Sequence, residues 1–155
     1  MADQVRKQFI SPRVPYYYYN PNFGKPFNAI ISGFIPQDAE EFVSINLIIH
    51  SNKDFPLLSM PFHLSIRPKD QELVRNSYAA VKGWGTEERN ILNEGFPLHF
   101  GSRFDMILSV TTDEITTTIN GKLVFKFAHR LDAKAINMFQ IQGSIFLESL
   151  CFDFL

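Results

Sequence analysis

The chain has 155 residues, 45% of them hydrophobic and 20% charged, with a formal net charge of −1. That length fits one domain able to bury a core, and the near-neutral balance excludes the basic face a nucleic-acid binder needs. One cysteine, Cys151, excludes an intramolecular disulfide, and no apolar run approaches the roughly 20 residues of a membrane-spanning helix.

Sixteen Phe and five Tyr are a heavy aromatic load, which favours strands. The first residues are polar, lack an apolar signal-peptide core, and include Arg6, Lys7 and Arg13. Residues 1–13 therefore predict a loosely docked N-terminal tail, ahead of a single domain over residues 14–155. Tyr16 to Tyr19 predicts an edge or first strand with rings on both faces. Over 42–49, Val43, Ile45, Leu47 and Ile49 point one way, while Ser44 and Asn46 point the other. Over 58–67, Leu58, Met60, Phe62, Leu64 and Ile66 share the core side. In 104–110 the apolar face is Phe104, Met106, Leu108 and Val110. Residues 115–119 and 122–127 flank Asn120-Gly121, a hairpin signal because both residues tolerate positive φ.

Residues 130–136 predict one helical turn, and Gly143 to Phe154 reads as a nearly continuous apolar strand. Pro12, Pro15, Pro26, Pro36, Pro56 and Pro97 fall mostly between these runs, where a missing amide donor does least harm. Many short strands without a long helical period predict an all-β fold, an antiparallel two-sheet β-sandwich of jelly-roll type.

The residues that carry chemistry lie in two places. In 58–67, the face opposite the apolar one presents His63, Ser65 and Arg67, each about 7 Å from the next. A row of this kind is often just a solvated face, but His and Arg together offer directional donors to ligand oxygens. The second place is 82–90, which holds the only tryptophan, Trp84, between Gly83 and Gly85. No residue from 85 to 90 is apolar, so Trp84 is expected to be exposed. An exposed indole beside charged groups suits a sugar, whose C–H patch lies on an aromatic ring while its hydroxyls take polar partners. Glu87 and Arg89 are two apart and share a face in an extended backbone. Glu87 is expected to bridge Arg67 and Arg89, which would order these long side chains before a ligand arrives.

Read together, His63-x-Ser65-x-Arg67, Val74-x-Asn76 and Trp84-Gly85-x-Glu87-x-Arg89 closely resemble the carbohydrate-recognition motif of the galectins. The resemblance extends from about residue 14 to the C-terminus, through Phe42-Val43-Ser44-Ile45-Asn46-Leu47 and Phe127-Ala128-His129-Arg130-Leu131. It implies a galectin-like sandwich that binds β-galactosides of lactose or N-acetyllactosamine type, carried on glycoproteins or glycolipids. It also implies roles. His63 and Arg67 would bond the axial 4-hydroxyl of galactose, Asn76 and Glu87 its 6-hydroxyl, and Trp84 would stack under the ring. Arg67, Glu87 and Arg89 would reach the neighbouring sugar. Two departures stand out: Ser65 replaces the usual Asn, and Pro68 follows Arg67 where an aromatic is common. The Ser65-containing site and the extra N-terminal segment resemble nematode-type members. The family resemblance further implies cytoplasmic synthesis with unconventional export, and it admits a homodimer.

Ser65 motivates a second reading, a galectin-fold module that binds proteins and has weakened or altered sugar binding. An enzyme is not expected. A glycosidase needs two carboxylates facing each other about 5–9 Å apart, whereas adjacent Glu87 and Glu88 point to opposite sides of a strand. The histidines His50, His63, His99 and His129 have no paired-ligand spacing, so neither a metal nor another cofactor is expected. Cys151, in an apolar strand, reads as an inert buried thiol.

Overall fold

The computed structural model describes residues 5–51, 58–92 and 95–155. Two six-stranded sheets make up the fold. In chain order the strands are β1 (Val5–Ile10), β2 (Tyr16–Tyr19), β3 (Phe27–Phe34), β4 (Val43–Ile49), β5 (Ser59–Arg67) and β6 (Glu72–Ala79). They continue as β7 (Gly83–Trp84), β8 (Phe104–Val110), β9 (Glu114–Ile119), β10 (Lys122–Ala128), β11 (Met138–Gln142) and β12 (Phe146–Phe154). One sheet runs β1-β12-β3-β8-β9-β10 and the other β2-β11-β4-β5-β6-β7, with every pairing antiparallel. Among the described residues no helix is long and apolar enough to cross a membrane.

Alternation builds the core between the sheets. Phe104, Met106, Leu108 and Val110 are buried, whereas Asp105, Ile107 and Ser109 between them are less so. From the other sheet, Ile45, Leu47, Phe62, Leu64, Ile66 and Leu73 are wholly buried. The phenylalanines concentrate at one end, where Phe23 meets Phe27, Phe152 and Phe154 with ring centroids 4.9, 5.3 and 5.3 Å apart. Each such ring contributes about 1.5–3 kcal/mol on burial. The predicted hairpin forms between β9 and β10, with Asn120 at φ 50° and Gly121 at φ 81°. The predicted helical turn is a 3₁₀ turn at Ala133–Ala135, capped by the Asp132 carboxylate, which accepts from the Lys134 amide.

Two expectations change. Within the segment expected to be a tail, Val5–Ile10 pairs with β12 along its whole length, from Val5 opposite Phe154 to Ile10 opposite Ser149. Phe9 drives this by turning inward onto Tyr16, Tyr18 and Phe152. Arg6 turns outward and donates to both Asp153 oxygens at 2.6 and 2.8 Å. Along β4 the regular alternation fails at a register shift between Leu47 and Ile49, so Ile48 is buried and Ile49 only half-buried. Residues 1–4 of the expected tail, and Pro56, lie outside the described residues.

Candidate functional site

The site stands on the outer face of β4, β5 and β6. Antiparallel register sets Asn46 opposite His63 and His63 opposite Asn76, forming one row across three strands. A second row is Ser44, Ser65 and Val74, and Arg67 opposite Glu72 follows in the next. The partners of these residues in sequence, Ile45, Leu64, Ile66 and Leu73, face the core, which fixes which way the polar row points.

A cleft of about 270 Å³ opens on this face, lined by His63, Arg67, Val74, Asn76, Trp84, Gly85 and Glu87. Trp84, on β7 beside Tyr78, is 53% exposed, as the sequence predicted. Its ring is tilted against His63 at 4.8 Å between centroids and meets Tyr78 edge-on at 5.2 Å. The indole is therefore held on two sides while one face stays open.

His63 is set by its neighbours. The Asn46 amide donates through Nδ2 to Gln140 Oε1 at 2.9 Å, which turns Asn46 Oδ1 toward His63 Nδ1 at 2.6 Å. That network assigns the proton to Nδ1 and leaves Nε2 as an acceptor. Burial lowers the His63 pKa below its ordinary value, the Arg67 charge adds to this, and Glu87 opposes it. These surroundings favour the neutral imidazole.

Asn76 is 5% exposed, and its side chain is already engaged. Its Oδ1 accepts from the Ser77 amide at 2.8 Å and from Arg130 Nη1 at 3.0 Å, while Nδ2 donates to the Gly85 carbonyl at 3.1 Å. One Nδ2 proton is left for a further acceptor. Arg130 also donates to Thr86 O at 2.7 Å and to the Glu88 carboxylate at 2.6 Å, and its guanidinium lies over the Phe127 ring. The close fit explains Gly85, since a Cβ there would stand 2.8 Å from Arg130 Nη1.

The remaining candidates behave differently from the sequence reading. Arg89 lies outside the cleft lining and holds both Glu72 and Glu87 at 2.5 Å. The hydrogen bond to Glu72, ahead of the charge of both acids, raises the Arg89 pKa and keeps it a cation. The expected bridge to Arg67 is absent: no ion pair joins Arg67 and Glu87 among the described residues. Arg67 instead lies over the Phe42 ring and donates through Nε to Ser65 Oγ at 3.3 Å. Glu72, the cross-strand neighbour of Arg67, is held by Arg89, which leaves Arg67 supported by the Phe42 ring and Ser65 Oγ. Ser65 itself is 3% exposed and sits outside the cleft lining.

Sequence reasoning missed Asn46, Arg130, Phe42 and Gln140 as parts of the site. Asn46 had a signal, its place on the polar side of an alternating strand. Arg130 had none, since it reaches Asn76 across 54 positions.

The fold and its matched span define a lectin-type β-sandwich. A family model described as galactoside-binding lectin matches residues 22–152. Among curated relatives, galectin-4 of Bos taurus is 34% identical over 119 residues, covering 76% of this chain and 33% of that protein. A 32 kDa beta-galactoside-binding lectin of Caenorhabditis elegans is 31% identical over 121 residues, covering 78% of this chain and 39% of that protein. The chain thus spans 33% and 39% of the length of these relatives. In fold it is similar to the Caenorhabditis elegans galectin LEC-6, with a TM-score of 0.77 at 18% identity over 94% of each chain. It also resembles sheep galectin-11, solved with glycerol, with a TM-score of 0.76 at 20% identity over 92% of this chain and 99% of that one. The chain belongs to the galactoside-binding lectin family, the galectins.

Proposed function

We propose that this chain is a non-enzymatic lectin domain that binds β-galactosides in the cleft between Trp84 and Arg67. The observation that carries the reading is the Trp84 indole, open on one face and ringed by polar groups whose other bonds are already made. A galactose C–H face stacks on that indole. The axial 4-hydroxyl donates to His63 Nε2 and accepts from Arg67 Nη. The 6-hydroxyl accepts the remaining Asn76 Nδ2 proton and donates to Glu87. Arg89 acts at one remove, by fixing Glu87. Ser65, buried beneath Arg67, supports that guanidinium in place of touching the sugar.

The ligands in this reading are lactose- or N-acetyllactosamine-type glycans on glycoproteins or glycolipids. Cytoplasmic synthesis with unconventional export, and pairing of chains to cross-link such glycans, belong to the same proposal. So does the exclusion of nucleic acid and membrane insertion. A shallow one-sugar site predicts a dissociation constant of about 0.1–1 mM.

Titration of Trp84 fluorescence with lactose, with sucrose as control, is the test. A saturable change with lactose alone supports the proposal. No change in a folded protein, or unaltered lactose-column retention by Trp84→Ala, sinks it.

A further inference from the structure

We infer that Phe42 is a positioning residue for the ligand-binding guanidinium of Arg67, an inference that rests on the galactoside reading above. Phe42 immediately precedes β4, whose first pair, Val43 with Ile66, brings it beside Arg67 at the end of β5. The Arg67 guanidinium carbon lies 5.1 Å from the Phe42 ring centroid. The ring is 50% exposed, so burial does not account for its place.

The backbone under Phe42 is fixed from the other side. A Cβ on Gly143 would stand 2.0 Å from the Phe42 carbonyl oxygen, so only glycine lets the turn between β11 and β12 press against it. Gly143 also has φ 105°, which glycine adopts without strain. The backbone that carries the ring is thus fixed against that turn.

Arg67 is then bracketed on two sides. The face of its guanidinium lies over the ring, and its Nε is held by Ser65 Oγ at 3.3 Å. Arg67 lines the cleft, and its two Nη groups carry the donors that the Nε bond to Ser65 does not use. The residue after Arg67 is Pro68, which offers no aromatic face. Phe42 supplies the ring from the residue before β4.

A cation over an exposed ring contributes a modest amount, which corresponds to about a two- to fivefold change in affinity. Phe42→Ala and Phe42→Leu are each expected to weaken lactose binding by about that factor, while Phe42→Tyr stays near wild type. Leu restores apolar bulk without a ring face, so it separates ring stacking from simple packing. The Arg67 Nε–H resonance gives a readout that needs no sugar. In the unliganded protein it should carry a ring-current shift that is lost in Phe42→Ala and kept in Phe42→Tyr. Wild-type affinity in both Phe42→Ala and Phe42→Leu, or an unmoved Nε–H resonance in Phe42→Ala, overturns the inference. Failure of the wild type to bind lactose would instead sink the functional reading, while the resonance still decides whether Phe42 positions Arg67.

Discussion

Asn46 Oδ1 lies 2.6 Å from His63 Nδ1, and this contact decides which ring nitrogen faces the cleft. Because the oxygen accepts only from a protonated Nδ1, a neutral His63 shows the ligand an acceptor. Burial lowers the His63 pKa, so the native state resists taking a proton that the unfolded chain accepts near its ordinary value of 6.5. The sign follows from linkage. Above that value His63 is neutral in both states and contributes no pH dependence. Below it the unfolded state binds more protons, so stability falls as pH falls, until the native His63 also titrates. NMR titration should therefore place the His63 midpoint below 6.5, with lactose affinity flat above that midpoint. Asn46→Asp sets a carboxylate against Nδ1 and should move the midpoint upward. A midpoint at or above 6.5 in the wild-type protein would contradict this account.

Arg130 ties β6 to the loop that carries Glu87, through Asn76, Ser77, Thr86 and Glu88. Arg130→Met keeps much of the contact with Phe127 but removes every donor. The expected outcome is a loss of about 1.5–3 kcal/mol in urea unfolding, the range for hydrogen bonds to charged groups, and roughly tenfold weaker lactose binding. Unchanged affinity alongside lowered stability would show that the loop keeps its shape without the clasp.

Much of this site was legible because strand periodicity is a local property. The alternation in β5 put His63, Ser65 and Arg67 on one side, and glycines around Trp84 signalled exposure. What periodicity does not encode is which strand lies alongside. Asn46 and Gln140 reach His63 only through the β11-β4-β5 register, and Arg130 arrives from beyond β10. The same limit explains the Arg67 miss, because the competition between Glu87, Glu72 and Phe42 is settled by neighbours across strands. The fold class survived these gaps since the core pattern of β8 and the Asn120-Gly121 turn specify it locally.

Arg75, one strand position from Asn76 but facing the core, is 3% exposed. Its cation lies 4.4 Å above the Phe125 ring and donates to the carbonyls of Leu73 and Asn90, while burial lowers its pKa. Arg75→Ala empties that space and strands two carbonyls near the segment that leads from Glu88 to Asn90. A cost of about 3 kcal/mol in chemical denaturation is expected from the lost charged hydrogen bonds and packing. A change below about 0.5 kcal/mol, the range of ordinary surface substitutions, would show that the guanidinium is not held there.

Removing residues 1–10 tests whether the first strand serves the fold or the site. β1 lies at the edge of the sheet opposite the one bearing Trp84, so its loss exposes the edge of β12 and uncovers Phe152. It also leaves Asp153, 5% exposed, without the Arg6 guanidinium. A buried acid deprived of its charged partner destabilises the native state, and a newly bare strand edge invites self-association. The truncated protein should therefore melt several degrees lower and aggregate sooner on heating. Its lactose titration, read at Trp84, should overlay that of the full chain, because the cleft residues all stand on β5, β6, β7 and the loop after β7. A large loss of affinity at unchanged melting temperature would mean instead that the N-terminal strand acts on the sugar site directly.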